Sequence, residues 1–288
     1  MEQKLSIGIC ILFFEKAAQT IECVQSFLAS GVPIYILNNS SSPESTQILK
    51  NFCQNYPQVK IFDSPENLGV SKGRNFLINN TTEEWLFFVD NDITIKEGDW
   101  LEKIGKHITE YPDTEVFIPR LFNVHEKSYS EFKPFVLENK LVQRNEKYQG
   151  DIINMFPGGA SIINRCLFVR LGFYEECMFV GFEDFEFAIR SMVSGNPIRA
   201  KIIDDIELVH DHRIAISEND KTSARVRYDI KKLKASQDFI AKKYKLHMDY
   251  GWKYWVKNRL SYFVDGKSKK TLTLFERAVI KLKNMFEG

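Results

Sequence analysis

Two carboxylates stand two positions apart in the segment Asp90-Asn91-Asp92, which directly follows the apolar run 85–89. The run predicts a buried strand, and two side chains at the point where a strand gives way to a loop can turn toward one position. Carboxylate oxygens are ligands that Mn²⁺ and Mg²⁺ prefer, and Mg²⁺ is usually held by one or two carboxylates together with phosphate oxygens of a substrate. The segment therefore indicates a divalent-cation site. The alternative interpretation is an Asx turn that only ends the strand.

The composition is that of an ordinary globular protein of 288 residues, with 44% hydrophobic and 27% charged residues. The longest apolar run, 7–14, is too short to span a bilayer, and the first residues lack the features of a signal peptide. Five scattered cysteines without CxxC spacing argue against a disulfide framework and against a thiolate zinc site. We expect a cytoplasmic protein.

Apolar runs alternate with segments of helical period through the first 121 residues. The predicted strands are 5–13, 33–37, 59–62, 85–89 and 116–121, and the predicted helices are 15–30, 43–55, 71–79 and 100–111. This alternation implies βαβ units, hence an α/β fold with an open, mostly parallel twisted sheet and helices on both faces. After a variable excursion over 122–152, we expect strands at 160–163, 198–203 and 206–209 and helices at 164–171 and 183–194.

The charges are distributed unevenly along the chain. Lys221–Gly288 contains 18 Lys and Arg residues against 6 Asp and Glu, whereas the first 220 residues contain 21 against 32. The pattern after residue 223 is helical, with large apolar residues at Trp252, Trp255, Tyr262 and Phe263.

Two interpretations of this basic segment remain. Its helices could contact anionic lipid at the inner face of the membrane, or their apolar faces could pack on the rest of the chain or on a second copy in a homodimer. We expect packing. The sequence has no RNP, helix-turn-helix or zinc-finger pattern, so we expect no nucleic-acid partner.

Four blocks of residues follow one another in an order similar to that of family 2 glycosyltransferases of the GT-A type. They are the strand and polar turn at 34–42, the segment 66–75, the Asp90-Asn91-Asp92 segment, and Gly158-Gly159-Ala160 followed by 181–186 and His210. The chain resembles this family over roughly residues 4–215. The resemblance implies a GT-A catalytic domain over 1–220, with a nucleotide-sugar half to about residue 121 and an acceptor half over 122–220. A basic helical extension over 221–288 would follow.

The resemblance also implies a reaction. A metal-dependent, inverting enzyme would move a sugar from a nucleotide-diphospho-sugar donor to a hydroxyl of a glycan or of a lipid- or protein-linked glycan. A UDP-sugar is the expected donor, with dTDP- and GDP-sugars as alternatives. Asp92 would be the direct ligand of Mn²⁺ or Mg²⁺, and Asp90 would contact the same ion, its bound water or the ribose. His210 is expected as a further ligand, with His212 as its alternative.

The remaining predicted site residues follow the same resemblance. Glu183-Asp184 matches the acidic pair of the family at the start of a predicted helix, where carboxylates stay ionised, so Asp184 is the expected general base and Glu183 its alternative. Simple N-terminal capping is the other interpretation of this pair. The predicted nucleotide-sugar contacts are Asn38, Asn39, Asn67, Gly69, Arg74, Asp90, Asn91, Gly158 and Gly159. The family usually has an acidic residue where Asn38-Asn39 stands, and the amides offer donors and acceptors instead.

Two other functions share some of these features. A non-catalytic module of the same fold could bind glycan or serve as a scaffold, but the joint presence of Asp90, Asp92, Asp184 and His210 argues against it. A sugar-nucleotidyltransferase also binds metal and nucleotide, but it would normally carry a glycine-rich basic loop after the first strand. The sequence there is Phe13-Phe14-Glu15-Lys16, which is not such a loop.

Overall fold

One large sheet with helices on both faces dominates the fold. The computed structural model describes residues 5–212 and 218–246, together with residue 278. The strands are β1 (Ile7–Phe13), β2 (Ile34–Asn38), β3 (Val59–Asp63), β4 (Trp85–Asp90), β5 (Ile93–Ile95), β6 (Val116–Asn123), β7 (Ser128–Tyr129), β8 (Phe135–Glu138), β9 (Leu141–Arg144), β10 (Ile152–Ile153), β11 (Ala160–Asn164) and β12 (Ala200–His210). The helices are α1 (Ala17–Phe27), extended by a 3₁₀ turn, α2 (Pro43–Cys53), α3 (Gly69–Asn79), α4 (Trp100–Glu110), α5 (Cys166–Leu171), α6 (Glu183–Val193), α7 (Glu218–Arg227) and α8 (Ile230–Tyr244).

The sheet order is β10-β12-β6-β11-β4-β1-β2-β3, with β5 paired to β12 and β7 to β6. Strands β3, β2, β1 and β4 are parallel to one another, as are β6 and β12. Strand β11 is antiparallel to both of its neighbours and joins the two parallel parts. The carboxyl ends of β1, β2 and β4 therefore open at one edge, where open α/β sheets bind ligands. The predicted α/β fold with a helical C-terminal part is confirmed.

Strand β4 shows why the central strands are continuously apolar in sequence. Its consecutive residues Phe87 and Phe88 point to opposite faces of the sheet, and both faces are covered by helices. On one face, Phe87 packs against Phe27 and Trp100 with ring centroids 5.6 Å apart in each pair. On the other face, Phe88 packs against Phe168 at 6.5 Å. Because neither face of this strand meets solvent, its sequence does not alternate between apolar and polar residues.

Local sequence signals place several helix ends correctly. Ser42 caps α2 by accepting a hydrogen bond from the Ser45 amide at 3.3 Å, and Pro43 follows at the first helical position. Gly31 and Gly195 adopt the left-handed conformation, with φ of 67° and 74°, just after the predicted helix ends.

One strand prediction is wrong. The two segments predicted at 198–203 and 206–209 belong, from Ala200 onward, to a single strand, β12, whose register on β6 shifts between Ile203 and Glu207. This irregularity accommodates the exposed pair Asp204-Asp205 without ending the strand. The short strand β5 was not predicted, and the excursion at 122–152 contains the β8-β9 hairpin.

Helix α8 packs on the rest of the chain, as the packing interpretation of the basic segment expects. Leu233 lies against Gly181, where an added Cβ would come within 2.5 Å of its Cδ2 atom. Ser236 Oγ donates to the carbonyl of Val180 at 3.2 Å, and Ile240 is fully buried. The aromatic residues on which the lipid interpretation depends, Trp252, Trp255, Tyr262 and Phe263, lie outside the described residues. None of the helices within the described ranges is long and apolar enough to cross a membrane.

A buried carboxylate ties α8 to α6. Glu186 is fully buried; its carboxylate contacts Arg190 at 2.5 Å and Lys243 at 2.8 Å, and it accepts a hydrogen bond from the Tyr244 hydroxyl. Lys243 also contacts Glu175 at 2.5 Å. Two neighbouring cations and a hydroxyl offset the cost of burying this charge.

Replacing this carboxylate should destabilise the fold. In Glu186→Gln, Arg190 and Lys243 lose their shared buried partner, so we expect the free energy of unfolding to fall by about 3 kcal/mol. The matched control is Asp238→Asn, which breaks the exposed i,i+4 pair with Lys234 on the same helix α8 and should change stability by less than about 0.5 kcal/mol. Urea unfolding of both variants measures the difference. Equal, small effects would show that the α6–α8 contact contributes little.

Candidate active site

A cavity of about 520 Å³ opens at the carboxyl edge of β1 and β4, between the start of α3, the start of α6 and helix α7. The predicted site residues that line it are Asn39, Asn67, Gly69, Arg74, Asp90, Asn91, Asp92, Glu183 and His212. Of the other predicted residues, Gly158, Gly159, Asp184 and His210 lie beside this wall and contact its members or their neighbours, whereas Asn38 contacts Asp63 away from the cavity.

Three side chains in this region could hold a metal ion. Asp92, His210 and His212 offer ligand atoms that all lie within 4.8 Å of one another. The antiparallel pairing of β5 with β12 places His210 opposite Ile93, and the Asp211 amide donates to the carbonyl of Asp92 at 3.0 Å. A three-residue strand thus aligns side chains that are more than a hundred positions apart in sequence.

The orientation of His210 follows from its hydrogen bonds. Asn123 Nδ2 donates to Ser130 Oγ at 2.9 Å, which turns Asn123 Oδ1 toward His210 Nδ1 at 3.1 Å. We therefore assign the proton to Nδ1, so that Nε2 carries a lone pair. This Nε2 faces Asp92 Oδ1 at 3.4 Å, and both atoms are buried without a hydrogen-bond partner in the part of the chain that the structure describes. Two facing acceptors fit a cation between them, so the residues present suit a divalent metal ion.

His212 is held differently. Its Nδ1 lies 3.1 Å from Asp92 Oδ2, and its Nε2 lies 3.2 Å from a guanidinium nitrogen of Arg227. Burial lowers the pKa of His212, so we treat the imidazole as neutral, donating from Nδ1 to Asp92 and accepting at Nε2 from Arg227. Both ring nitrogens are therefore engaged, and His210 is the histidine with a lone pair turned toward Asp92.

The carboxylate of Asp92 is almost completely buried, with 2% of the side chain exposed. Burial by itself would raise its pKa, but the hydrogen bond from His212 and the positive charge of Lys16 outweigh burial and hold the pKa well below its ordinary value. Asp90, in contrast, is half exposed, and its Oδ1 lies 3.9 Å from Arg74. The two carboxylates of the segment thus differ sharply: one is buried beside Lys16 and two imidazoles, and the other faces the cavity.

The acidic pair at the start of α6 is also divided between two environments. Glu183 Oε1 accepts a hydrogen bond from Arg74 at 2.8 Å, and the two side chains form a buried ion pair. Asp184 accepts hydrogen bonds from the backbone amides of Phe185 at 2.8 Å and Gly158 at 3.4 Å. Burial of its carboxyl and the adjacent charge of Glu183 raise the pKa of Asp184 to about 6. Asp184 is therefore a carboxylate that can accept a proton near neutral pH.

The two glycines before β11 make room for side chains. A Cβ on Gly158 would overlap the guanidinium of Arg74, and a Cβ on Gly159 would overlap the carboxylate of Asp90. Their backbone φ angles are not in the left-handed region. Glycine is therefore required at these two positions because side chains of the site lie too close to leave room for a Cβ.

The predicted asparagines are held by the protein itself. Asn38 donates to Asp63 at 2.9 Å, and its side chain does not line the cavity. Asn39 bridges the loop before α3 by donating to the Gly69 carbonyl and accepting from the Leu68 amide. Asn91 donates to Thr20 at 3.0 Å, which anchors the segment after β4 to helix α1.

Sequence reasoning missed three residues that contact the predicted ligands. They are Lys16, which lies 3.4 Å from Asp92 Oδ2, together with Asn123 and Arg227. Asn123 could have been found in the same way as Asp90, because both are polar residues at the carboxyl end of a strand. Lys16 and Arg227 stand in a loop and in a basic helix, where no spacing distinguishes them from solvated lysines and arginines.

Comparison with known proteins identifies the family. A model of the family described as Glycosyl transferase family 2 matches residues 8–172, more than half of the chain. An uncharacterized protein of Haemophilus influenzae is 26% identical over 150 residues, which cover 50% of this chain and 77% of that protein. The glycosyltransferase GlyA of Streptococcus pneumoniae is 31% identical over 93 residues, which cover 31% of this chain and 13% of GlyA.

Solved structures share the fold at low sequence identity. GalNAc-T7 with UDP, GalNAc and Mn²⁺ has a TM-score of 0.60 at 14% identity, over 99% of this chain and 56% of that one. Staphylococcus aureus TarS with UDP-GlcNAc has a TM-score of 0.57 at 16% identity, over 98% and 80%. The mannosyltransferase PcManGT of Pyrobaculum calidifontis, with GDP-Man and Mn²⁺, has a TM-score of 0.54 at 12% identity, over 99% and 81%. The matched residues and the shared fold together show that the chain belongs to glycosyl transferase family 2 and is a glycosyltransferase of the GT-A fold.

Proposed function

We propose that this glycosyltransferase moves a sugar, with inversion, from a nucleotide-diphospho-sugar to a hydroxyl of a glycan or glycoconjugate acceptor, and that it requires Mn²⁺ or Mg²⁺. The observation that carries the proposal is the buried pair of facing acceptors, Asp92 Oδ1 and His210 Nε2, in the wall of the cavity. Among the described residues, no group donates a hydrogen bond to either atom, and a divalent cation would compensate their lone pairs.

Asp92 and His210 would hold the ion, with Asp90 at the cavity side of the same segment. When bound, the ion would neutralise charge that develops on the diphosphate as the bond to the sugar breaks. Arg74 adds a fixed positive charge to the same wall and is kept in place by Glu183. Its fork of donors suits phosphate or ribose oxygens.

Asp184 is the proposed general base for the acceptor hydroxyl. Glu183 is already neutralised by Arg74, whereas Asp184 makes no ion pair among the described residues and has a pKa raised to about 6. Its carboxylate is oriented by two backbone amides and would take the proton as the acceptor oxygen attacks the sugar carbon.

The structural relatives support a nucleotide-diphospho-sugar as the donor class, because their complexes contain UDP, UDP-GlcNAc and GDP-Man. We propose a UDP-sugar first and GDP- and dTDP-sugars as alternatives. We further propose that residues up to about 121 bind the nucleotide, that 122–220 contribute the acceptor side, and that the helices after residue 220 support this domain.

A thermal-shift panel tests the donor proposal. The purified chain is melted with UDP-, GDP- and dTDP-sugars, each in the presence of Mn²⁺ and of EDTA. A donor that binds the folded protein must raise the melting temperature by mass action, and we expect this rise for one nucleotide class with Mn²⁺ only. No metal-dependent rise with any nucleotide would reject the proposal and favour a non-catalytic module.

Gly159→Ala should damage the site without unfolding the protein. The new methyl group would displace the Asp90 carboxylate, so we expect kcat/KM to fall at least about tenfold, the equivalent of roughly 1.4 kcal/mol. Gly105→Ala is the matched control, because a Cβ at this position in α4 has no atom within 4 Å. Steady-state kinetics of both variants, with melting temperatures measured in parallel, make the comparison. Wild-type kinetics in Gly159→Ala would show that Asp90 does not act through its present position.

A further inference from the structure

An ammonium group stands beside the carboxylate proposed to bind the metal ion. Lys16 Nζ lies 3.4 Å from Asp92 Oδ2, and only 14% of the lysine side chain is exposed. Asp92 Oδ2 is the oxygen that also contacts His212, whereas Oδ1 is the oxygen that faces His210. The buried carboxylate thus has one oxygen satisfied by donors of the protein and one oxygen open toward the proposed ion.

The backbone holds Lys16 in this place. Lys16 and Glu15 both adopt the left-handed conformation, with φ of 57° and 59°, which is unfavourable for residues with a Cβ. The buried Glu15 carboxylate accepts hydrogen bonds from the Ser42 amide at 2.7 Å and from Ser45 Oγ at 2.5 Å, and these bonds fix the turn. The position of this lysine is fixed by the turn, whereas a surface lysine can contact several different carboxylates in turn.

A fixed positive charge at this point has two consequences. It stabilises the ionised carboxylate of Asp92 while no metal ion is bound, and it repels a divalent cation that approaches the same carboxylate. The repulsion is compensated when two negatively charged phosphates enter the cavity together with the ion.

We propose that Lys16 is a resident counter-ion that makes divalent-cation binding depend on the nucleotide diphosphate. Without nucleotide, Lys16 neutralises Asp92 and keeps the affinity for the cation low. With nucleotide, the same ammonium group attracts the diphosphate, so that cation and donor bind as a cooperative pair. This inference rests on the proposed function of the site.

Mn²⁺ titrations of the full chain, followed by the electron paramagnetic resonance signal of free Mn²⁺, test the proposal. Wild type and Lys16→Met are titrated with and without UDP, GDP and dTDP. Without nucleotide, we expect Lys16→Met to bind Mn²⁺ about tenfold more tightly than wild type, and with Mn²⁺ it should bind the nucleotide about tenfold more weakly. Lys16→Arg keeps the charge and should keep most of the coupling. Lys106→Met, which removes an exposed lysine of α4, should behave as wild type.

The sign of the first change separates a counter-ion from a residue that only orients Asp92. If Lys16→Met binds Mn²⁺ no more tightly than wild type without nucleotide, the counter-ion proposal is wrong. Lys16→Gln is measured in the same way, so that loss of folding in one variant, detected by its melting temperature, does not decide the result. If wild type binds no Mn²⁺ with any nucleotide, the proposed function itself fails. If wild type binds both cooperatively and the Lys16 variants match it, only the inference about Lys16 fails.

Discussion

Asp92→Asn should abolish metal-dependent nucleotide binding and lower kcat/KM by at least about 10²–10³-fold. The amide keeps the size of the side chain but removes the negative charge that faces His210 Nε2 across 3.4 Å. His210 and the new amide oxygen are both neutral ligands, so the buried negative charge that would hold a hard divalent cation is lost. Calorimetric titration of UDP, GDP and dTDP with Mn²⁺ measures the loss of binding, and donor turnover measures the loss of activity.

Asp90→Asn is the matched comparison, because the same change is made two residues away on a half-exposed carboxylate. We expect a smaller loss there, since Asp90 is not the buried partner of His210. Circular dichroism of both variants checks that the fold is kept. Wild-type nucleotide affinity in Asp92→Asn, measured with Mn²⁺ present, would show that the metal is bound elsewhere or not at all.

Asp184→Asn should lower kcat by about 10²–10⁴-fold while nucleotide affinity stays near that of wild type. As the proposed general base, the carboxylate would act in its ionised form, and burial and the charge of Glu183 raise its pKa to about 6. In wild type, kcat should therefore fall as the pH drops below about 6, and this acid limb should be absent from whatever activity Asp184→Asn retains. Steady-state kinetics from pH 5 to 8, at saturating donor, provide the profile, with the range set roughly around the pKa of the base.

Stability gives an independent check on the same variant. Because the folded-state pKa of Asp184 is raised, ionisation at neutral pH destabilises the folded protein, and the amide removes this cost. The melting temperature of Asp184→Asn at pH 7.5 should thus equal or exceed that of wild type. Normal turnover in Asp184→Asn would show that another residue is the general base. Glu183→Gln would then be the next variant. That change also releases Arg74, so it should weaken nucleotide binding as well.

Much of the fold could be predicted from local patterns. Continuous apolar runs mark strands buried on both faces, as in β1 and β4, and Ser42, Pro43, Gly31 and Gly195 mark helix ends through capping and left-handed geometry. The single strand β12 was predicted as two because the exposed pair Asp204-Asp205 resembles a turn. Only pairing with β6 on both sides of the irregularity keeps it one strand.

The candidate site divides in the same way. Asp90 and Asp92 could be found because a strand end and a carboxylate spacing are local features. The contact of Asp92 with His210 depends on β5, a strand of three residues that is too short to recognise by period. Two further contacts, that of His212 with Arg227 and that of Lys16 with Asp92, arise from packing between segments distant in sequence. No pattern along the chain records those contacts.

As proposed, this chain cleaves a nucleotide-sugar with the help of a divalent cation held by Asp92 and His210. The most direct test is release of nucleoside diphosphate from UDP-, GDP- and dTDP-sugars by the purified full chain, first treated with EDTA and then supplied with Mn²⁺ or Mg²⁺. We expect release from one donor class that requires the added cation and is lost in Asp92→Asn. Release that is equally fast in EDTA, or no release and no binding with any donor and cation, would contradict it.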